Sequence, residues 1–200
     1  MRRRRSYAIL PAMNGSPRLL PLLVIAALGL AACKDDKPAS TKADPANPHA
    51  ADESKPLEAG DAAPDITLKL NDGKEVKLSS LQGKQVLVYF YPKDDTPGCT
   101  IEAQGLRDGW ADIQAAGLEV YGVSTQDAES HQAFIDKYKL PFPLVVDTDG
   151  AVTKAFRVPT RLSFAARQSF LIGKDGKIKH VWLEVDPKEH ASTVIAAAKS

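Results

Sequence analysis

The stretch that most limits the folds open to this chain is Gln85-Val-Leu-Val-Tyr-Phe-Tyr91, an almost continuous apolar run stopped by Pro92. A strand with one wet face alternates apolar and polar residues. A run without alternation suits a strand covered on both faces, which requires a layer of structure on each side of its sheet. Leu118-Glu-Val-Tyr-Gly-Val-Ser124 is a second run of this kind. Between the two, Cys99, Ala103, Leu106, Trp110 and Ile113 fall on one helical stripe, which predicts a helix closed by Gly117. Downstream, His131, Phe134, Ile135 and Tyr138 repeat at i, i+3, i+4 and i+7, and Pro141-Phe-Pro143 separates that helix from Leu144-Val-Val146.

Hairpin signals flank this β-α-β-α-β series. Ile66–Leu70 and Glu75–Leu78 alternate around Asn71-Asp-Gly73. Ser169–Ile172 and Ile178–Leu183 flank a turn at Lys174-Asp-Gly-Lys177, and Ala191, Val194, Ile195 and Ala198 mark a closing helix. Parallel strands joined by helices and finished by an antiparallel pair describe an α/β domain of three layers. The expected architecture is a thioredoxin-like fold, with a central mixed β-sheet flanked by helices and an N-terminal β-hairpin. Periodicity alone leaves flavodoxin-like folds open. Residues 57–200 supply 144 positions, enough to bury about two-thirds of the unfolded surface without staples. No self-similar period points to repeats.

The preceding residues read differently. Leu19–Ala32 is an uncharged run of fourteen, short of the about 20 residues a membrane-spanning helix needs, with arginines before it and small residues after it. This is the pattern of a signal-peptide core. It ends Leu30-Ala-Ala-Cys33, which resembles the lipobox of bacterial lipoproteins. That resemblance implies that residues 1–32 are removed as a lipoprotein signal peptide and that Cys33 is the lipid-attachment site. An ordinary secretory signal ending near a cysteine is the alternative. Lys34 rather than Asp follows Cys33, which by the Gram-negative sorting rule favours the outer membrane. The start is Met1, with a twin-arginine hint, or Met13 with Arg18 as the basic end. Residues 33–56 then form an expected disordered tether. From Lys34 to Pro56 there is no Val, Ile, Leu, Met, Phe, Trp or Tyr, but four prolines, five alanines and nine charges. A coil of that length spans on the order of 25 Å r.m.s..

Composition narrows the function. Loss of residues 1–32, with five arginines and no acid, takes the formal charge from +1 to −4, so no basic patch for nucleic acid survives. Two cysteines and four scattered histidines make neither a disulfide scaffold nor a four-ligand zinc site, and no metal or cofactor is expected.

The chemistry concentrates in Tyr89-Phe-Tyr-Pro92-Lys-Asp-Asp-Thr96-Pro-Gly-Cys99-Thr-Ile-Glu102. A buried strand ends, a proline-bracketed loop follows, and Cys99 opens a helix. Unpaired N–H groups and about half a positive charge lie at a helix N-terminus, where a thiol pKa falls from about 8.5 into the range of roughly 3.5–7.5. Thr96 can place a hydroxyl beside the sulfur, and Pro92 and Pro97 fix and shield the loop. Position alone leaves a second reading open, a free cysteine serving as a small core residue.

Pro92-x-x-x-Thr96-x-x-Cys99 resembles the peroxiredoxin signature, and the wider string resembles the bacterioferritin comigratory protein group, also called peroxiredoxin Q. The similarity continues through Gly122-Val-Ser124, Glu129-Ser-His131, Lys137-Tyr138, Leu140–Leu144 and Arg167–Ile172, and covers essentially all of residues 57–200. It implies a thiol peroxidase acting on hydrogen peroxide and organic hydroperoxides. Cys99 would be the peroxidatic cysteine, Thr96 would hydrogen-bond the thiolate and peroxide, and Arg167 would stabilise both. Pro92 would keep the pocket dry. Glu102 also stands at a family-like position, with a first-turn acid suited to the helix dipole as the plainer reading.

One departure changes the expected cycle. Many relatives carry a resolving cysteine five residues after the first, and here that position is Gln104. With Cys33 consumed by lipid, a one-cysteine cycle follows, reduced by an external thiol or a thioredoxin- or glutaredoxin-like partner. A smaller departure is Gln126-Asp127, where relatives often place Asp one residue earlier. The expected state is a monomer, with a weak dimer as the alternative, lipid-anchored through Cys33 and facing the periplasm. A tethered thiol–disulfide oxidoreductase would need C-x-x-C, but Glu102 stands where its second thiol belongs. A copper-delivery module lacks a second thiol and clustered histidines. A non-catalytic lipoprotein of the same fold, sensing or binding peroxide, is the remaining alternative.

Overall fold

The computed structural model describes residues 55–200. The expected signal peptide and nearly all of the expected tether, Cys33 included, lie outside the described residues. Among the described residues, Leu57 is the first buried side chain.

A five-stranded mixed sheet is the middle layer. Its strands are β3 (Gln85–Phe90), β4 (Leu118–Ser124), β5 (Leu144–Val146), β8 (Gln168–Ile172) and β9 (Ile178–Trp182), in the order β5-β4-β3-β8-β9. β3 runs parallel to β4 and antiparallel to β8, and β8 pairs antiparallel with β9. The antiparallel insertion of β8 beside β3 settles the fold as thioredoxin-like. A separate antiparallel hairpin of β1 (Thr67–Lys69) and β2 (Glu75–Lys77) precedes the sheet.

The period of two along β3 builds both outer layers. Val86, Val88 and Phe90 pack with Leu68, Leu70, Val152 and Phe156, beneath the hairpin and α4 (Ala151–Ala155). Leu87, Tyr89 and Tyr91 face the other way. They meet Cys99 and Leu106 of α1 (Pro97–Asp108), Ile113 of α2 (Trp110–Ala115), Phe134 of α3 (Ala128–Tyr138) and Val194 of α5 (His190–Lys199). Every residue of β3 from Val86 to Phe90 is buried, as a strand covered on both faces must be.

Three details depart from the sequence reading. The helix expected from Cys99 to Gly117 starts two residues earlier, at Pro97, and breaks at Gly109 (φ −84°, ψ 8°) into α1 and α2. A Cβ at Gly109 would lie 2.9 Å from Ile195 Cδ1, so close packing against α5 favours glycine at the break. The apolar stripe nevertheless continues across it, with Cys99, Ala103, Leu106 and Ile113 all buried. Leu78, expected to end a strand, begins a 3₁₀ turn, Leu78–Leu81. α4 and the short hairpin of β6 (Thr160–Arg161) and β7 (Phe164–Ala165) have no periodic signal, being too short to show one.

The loop between β3 and α1 is fastened to α3 by two adjacent aspartates. Buried Asp94 accepts from the Tyr91 hydroxyl (2.7 Å) and the Ser130 hydroxyl (2.7 Å), and its Oδ2 lies 2.8 Å from His131 Nδ1. His131 Nε2 donates to the Val145 carbonyl at 3.0 Å, which locks the ring from its other side. Asp95 holds a left-handed backbone (φ 55°), which Asp tolerates better than most residues. Its carboxylate receives Lys137 Nζ at 2.6 Å and the Tyr138 hydroxyl. Gln126 Oε1 accepts from the Asp94 N–H at 3.1 Å, so the residue marked as a departure helps to hold this loop.

Burial pushes the Asp94 carboxyl up, but the hydrogen bonds from His131, Tyr91 and Ser130 outweigh it, and its pKa lies below the ordinary 3.8. A depressed carboxylate stabilises the fold above its unfolded pKa and loses that contribution as pH falls through its folded one. Asp94→Asn is therefore expected to cost about 1–3 kcal/mol near neutral pH. The gap to wild type should shrink as pH drops below 3.8. Urea unfolding across pH checks this; a gap independent of pH would contradict it.

Candidate active site

Two remote segments meet at the C-terminal end of β3. The chain leaves the strand through Tyr91, whose N–H donates to the Val123 carbonyl at 3.1 Å, and Pro92 ends it. Thr96 occupies the N-cap of α1 (φ −93°, ψ 152°) and Pro97 the first helical position, where its missing N–H costs nothing. Thr100 N–H to Thr96 O, at 2.8 Å, is the first helical bond at this end. Cys99 is thus the third residue of the helix, beside first-turn N–H groups that have no carbonyl four residues back. Its side chain is buried at 2% exposure, and it is a free cysteine.

Strand register brings the arginine. Phe90 pairs with Gln168, so Arg167, one residue before β8, lies beside the point where β3 gives way to the loop. Its Nη2 lies 3.3 Å from Cys99 Sγ, across 68 residues of sequence. A Cβ at position 98 would stand 3.2 Å from that same nitrogen, so Gly98 leaves the guanidinium room beside the helix start. The other terminal nitrogen, Nη1, donates to Glu102 Oε2. Glu102 is fully buried, one turn after Cys99. Burial alone would lower the guanidinium pKa, but the charges of Glu102 and Cys99 more than offset this and raise it. Arg167 is therefore a permanent cation shared between a carboxylate and a sulfur. Tyr89, stacked on Tyr91 beneath them, is pushed well above its ordinary pKa by burial first and by the neighbouring Glu102 and Cys99 charges next, so its phenol stays neutral.

The other residues singled out in the sequence are placed as follows. The Thr96 hydroxyl donates to the Lys93 carbonyl at 3.0 Å, leaving its lone pairs as acceptors. Pro92 is half-buried at the loop entrance. Pro97 is exposed and serves to start the helix rather than to shield the sulfur. Gln104 lies half-buried on α1. Sequence reading missed His190 and Ser169. Buried His190, the first residue of α5, puts Nδ1 3.0 Å from Glu102 Oε1 and Nε2 2.9 Å from Ser169 Oγ. No local pattern marks this group, because its members come from α1, β8 and α5.

A thiol held beside a fixed cation and a helix start is set up as a nucleophile. A groove of about 830 Å³ bordered by Pro56, Asp149 and Arg157 does not include Cys99.

Comparison with known proteins agrees with this chemistry. The model of the AhpC/TSA family matches residues 59–181. Peroxiredoxin Bcp from Escherichia coli (strain K12) is 44% identical over 147 residues, covering 70% of this chain and 94% of that protein. A solved peroxiredoxin Q from Xanthomonas campestris is 32% identical with a TM-score of 0.66, covering 74% of this chain and 98% of its own. A bacterioferritin comigratory protein of the same organism, studied for alkyl peroxide reduction, is 33% identical with a TM-score of 0.66, covering 72% of this chain and 96% of its own. With its sheet order, its buried cysteine at a helix start and these relatives, the chain belongs to the AhpC/TSA family, and within it to the thiol peroxidases of the Bcp/peroxiredoxin Q type.

Proposed function

We propose that this thiol peroxidase works through Cys99 alone, reducing hydrogen peroxide and organic hydroperoxides in a one-cysteine cycle at the bacterial cell envelope. The observation that carries the catalytic part is Arg167 Nη2 at 3.3 Å from the sulfur, with Cys99 at the start of α1. In the first step the Cys99 thiolate gives an electron pair to the terminal peroxide oxygen. An S–O bond forms, the O–O bond breaks, and sulfur is oxidised by two electrons to the sulfenic acid. The leaving oxygen departs with the other electron pair and, once protonated, is water or an alcohol. Negative charge moves from sulfur to that oxygen, so a guanidinium already in place stabilises the transition state without reorganising. Thr96, with its proton committed to Lys93, is suited to accept from the peroxide O–H.

Regeneration falls to external thiol because Gln104 stands at the resolving position. One thiol condenses with the sulfenic acid to give a mixed disulfide and water. A second thiol releases Cys99 and leaves as a disulfide, and a thioredoxin- or glutaredoxin-like protein supplies both from one chain. Slow reduction exposes the sulfenic acid to over-oxidation to sulfinic acid. The envelope location is supported by the Leu30-Ala-Ala-Cys33 lipobox and the apolar-poor Lys34–Pro56 stretch, which read together as a lipid anchor on a tether, with the outer membrane favoured by Lys34.

Cys99→Ser is expected to abolish peroxide consumption with any thiol reductant, and retained turnover would sink the mechanism. Arg167→Ala is expected to slow peroxide reduction on the order of 10²–10³-fold. Unchanged kinetics would remove Arg167 from the chemistry. Consumption of a single equivalent of peroxide with every thiol tried would favour the sensor reading over catalysis. For the anchor, wild type should enter the detergent phase of a cloud-point extraction and Cys33→Ala the aqueous phase; Cys33→Ala in the detergent phase would overturn the lipoprotein assignment.

A further inference from the structure

Arginine and carboxylate side chains favour a two-pronged pairing, in which two guanidinium nitrogens meet two carboxylate oxygens. Arg167 and Glu102 do not pair in that way. Nη1 donates to Glu102 Oε2, while Nη2 turns to the Cys99 sulfur at 3.3 Å. The second oxygen, Oε1, is occupied from the opposite side by His190 Nδ1 at 3.0 Å, in an ion contact rather than a well-aligned hydrogen bond. His190 is fixed in its turn. Its Nε2 lies 2.9 Å from the hydroxyl of Ser169, a fully buried residue of β8 two positions after Arg167. Its ring leans on Tyr89 of β3, with centroids 5.8 Å apart. Glu102 from α1, Ser169 from β8 and Tyr89 from β3 thus all face it. A line of polar groups, buried except for the partly exposed Arg167, runs from Ser169 through His190, Glu102 and Arg167 to the nucleophilic sulfur.

We propose that His190, oriented by Ser169, is a positioning residue for peroxide reduction: by holding one oxygen of Glu102 it keeps the Glu102–Arg167 contact single-pronged and so delivers the second guanidinium nitrogen to Cys99. The assignment rests on Cys99 being the peroxide-reactive thiol and deepens that reading. Without His190, Oε1 is a buried carboxylate oxygen lacking its neighbour, and Nη2 of the same arginine, whose Nη1 already holds Oε2, is a donor that can turn to it. The pairing then becomes two-pronged, the guanidinium turns off the sulfur, and the thiolate loses its cation. Glu102 both orients Arg167 and competes with Cys99 for its charge, and His190 sets the balance.

The experiment compares four full-length proteins with wild type: His190→Leu, which removes the contact to Glu102; His190→Asn, whose amide nitrogen stands near the place of Nδ1; Ser169→Ala; and Arg167→Ala. Two quantities are read on each. One is the pH profile of Cys99 alkylation, followed by mass spectrometry of the Cys99 peptide so that Cys33 does not contribute. The other is the second-order rate with hydrogen peroxide. His190→Leu should move the alkylation midpoint to higher pH and slow the peroxide reaction at least about tenfold, towards the roughly 100-fold that a misplacement of about 1 Å costs. His190→Asn should restore most of both, and Ser169→Ala should shift the profile the same way by less. A folded His190→Leu protein with a wild-type profile and rate overturns the proposal, even if its stability has dropped. If His190→Leu does not fold, an unshifted profile in Ser169→Ala overturns it instead. Arg167→Ala separates the two levels: if it too reacts like wild type, the peroxide-site reading has failed; if it alone is slow, only the role of His190 has failed.

Discussion

Everything at this site depends on one cation held between a carboxylate and a sulfur. The Arg167 guanidinium touches Glu102 with one nitrogen and Cys99 with the other. Burying a carboxylate as completely as Glu102 is tolerable only with a paired charge, and removing one member would leave the other uncompensated. The same pairing that makes Glu102 affordable inside the domain fixes where the guanidinium points. The register of β3 against β8 places Arg167 at the end of the central strand, and the loop after β3 returns the chain so that α1 begins there. Sheet, loop and helix start are therefore one device for bringing a sulfur and a cation together across 68 residues.

A second set of contacts bears on the other half of the cycle. Cys99 is 2% exposed, so under the proposed cycle a reducing thiol would reach the sulfur only once the segment around it opens. The side chains that resist this are Asp94 and Asp95, tied to His131, Ser130, Lys137 and Tyr138 of α3. In the proposed one-cysteine cycle, the strength of this clamp would bear on how long the sulfenic acid waits for a partner and how far it is exposed to further oxidation.

The features legible in the sequence were those with local periodicity or fixed spacing. The unbroken apolar run of β3, the turn at Asn71-Asp-Gly73 and the stripes of α1, α3 and α5 follow from burial patterns that repeat within a few residues. The offsets of Pro92, Thr96 and Cys99 mark the strand–loop–helix that carries the thiol. The break at Gly109 was hidden because the apolar stripe runs straight through it, and the packing that favours glycine there comes from Ile195, far along the chain. The polar groups that organise the site were hidden for a different reason. His131 sits on an apolar stripe and reads as a core position, yet its partner is Asp94, 37 residues earlier. His190, Ser169 and Glu102 come from three elements, and their convergence is a property of the assembled fold rather than of any segment.

The central claim is that Cys99 is held as a peroxide-reactive thiolate. The most direct measurement mixes the reduced full-length protein with one equivalent of hydrogen peroxide at neutral pH, traps with a sulfenic-acid reagent such as dimedone, and reads the mass of the Cys99 peptide over time. The account predicts rapid, near-stoichiometric trapping at Cys99. A Cys99 thiol that stays free while peroxide persists would contradict it.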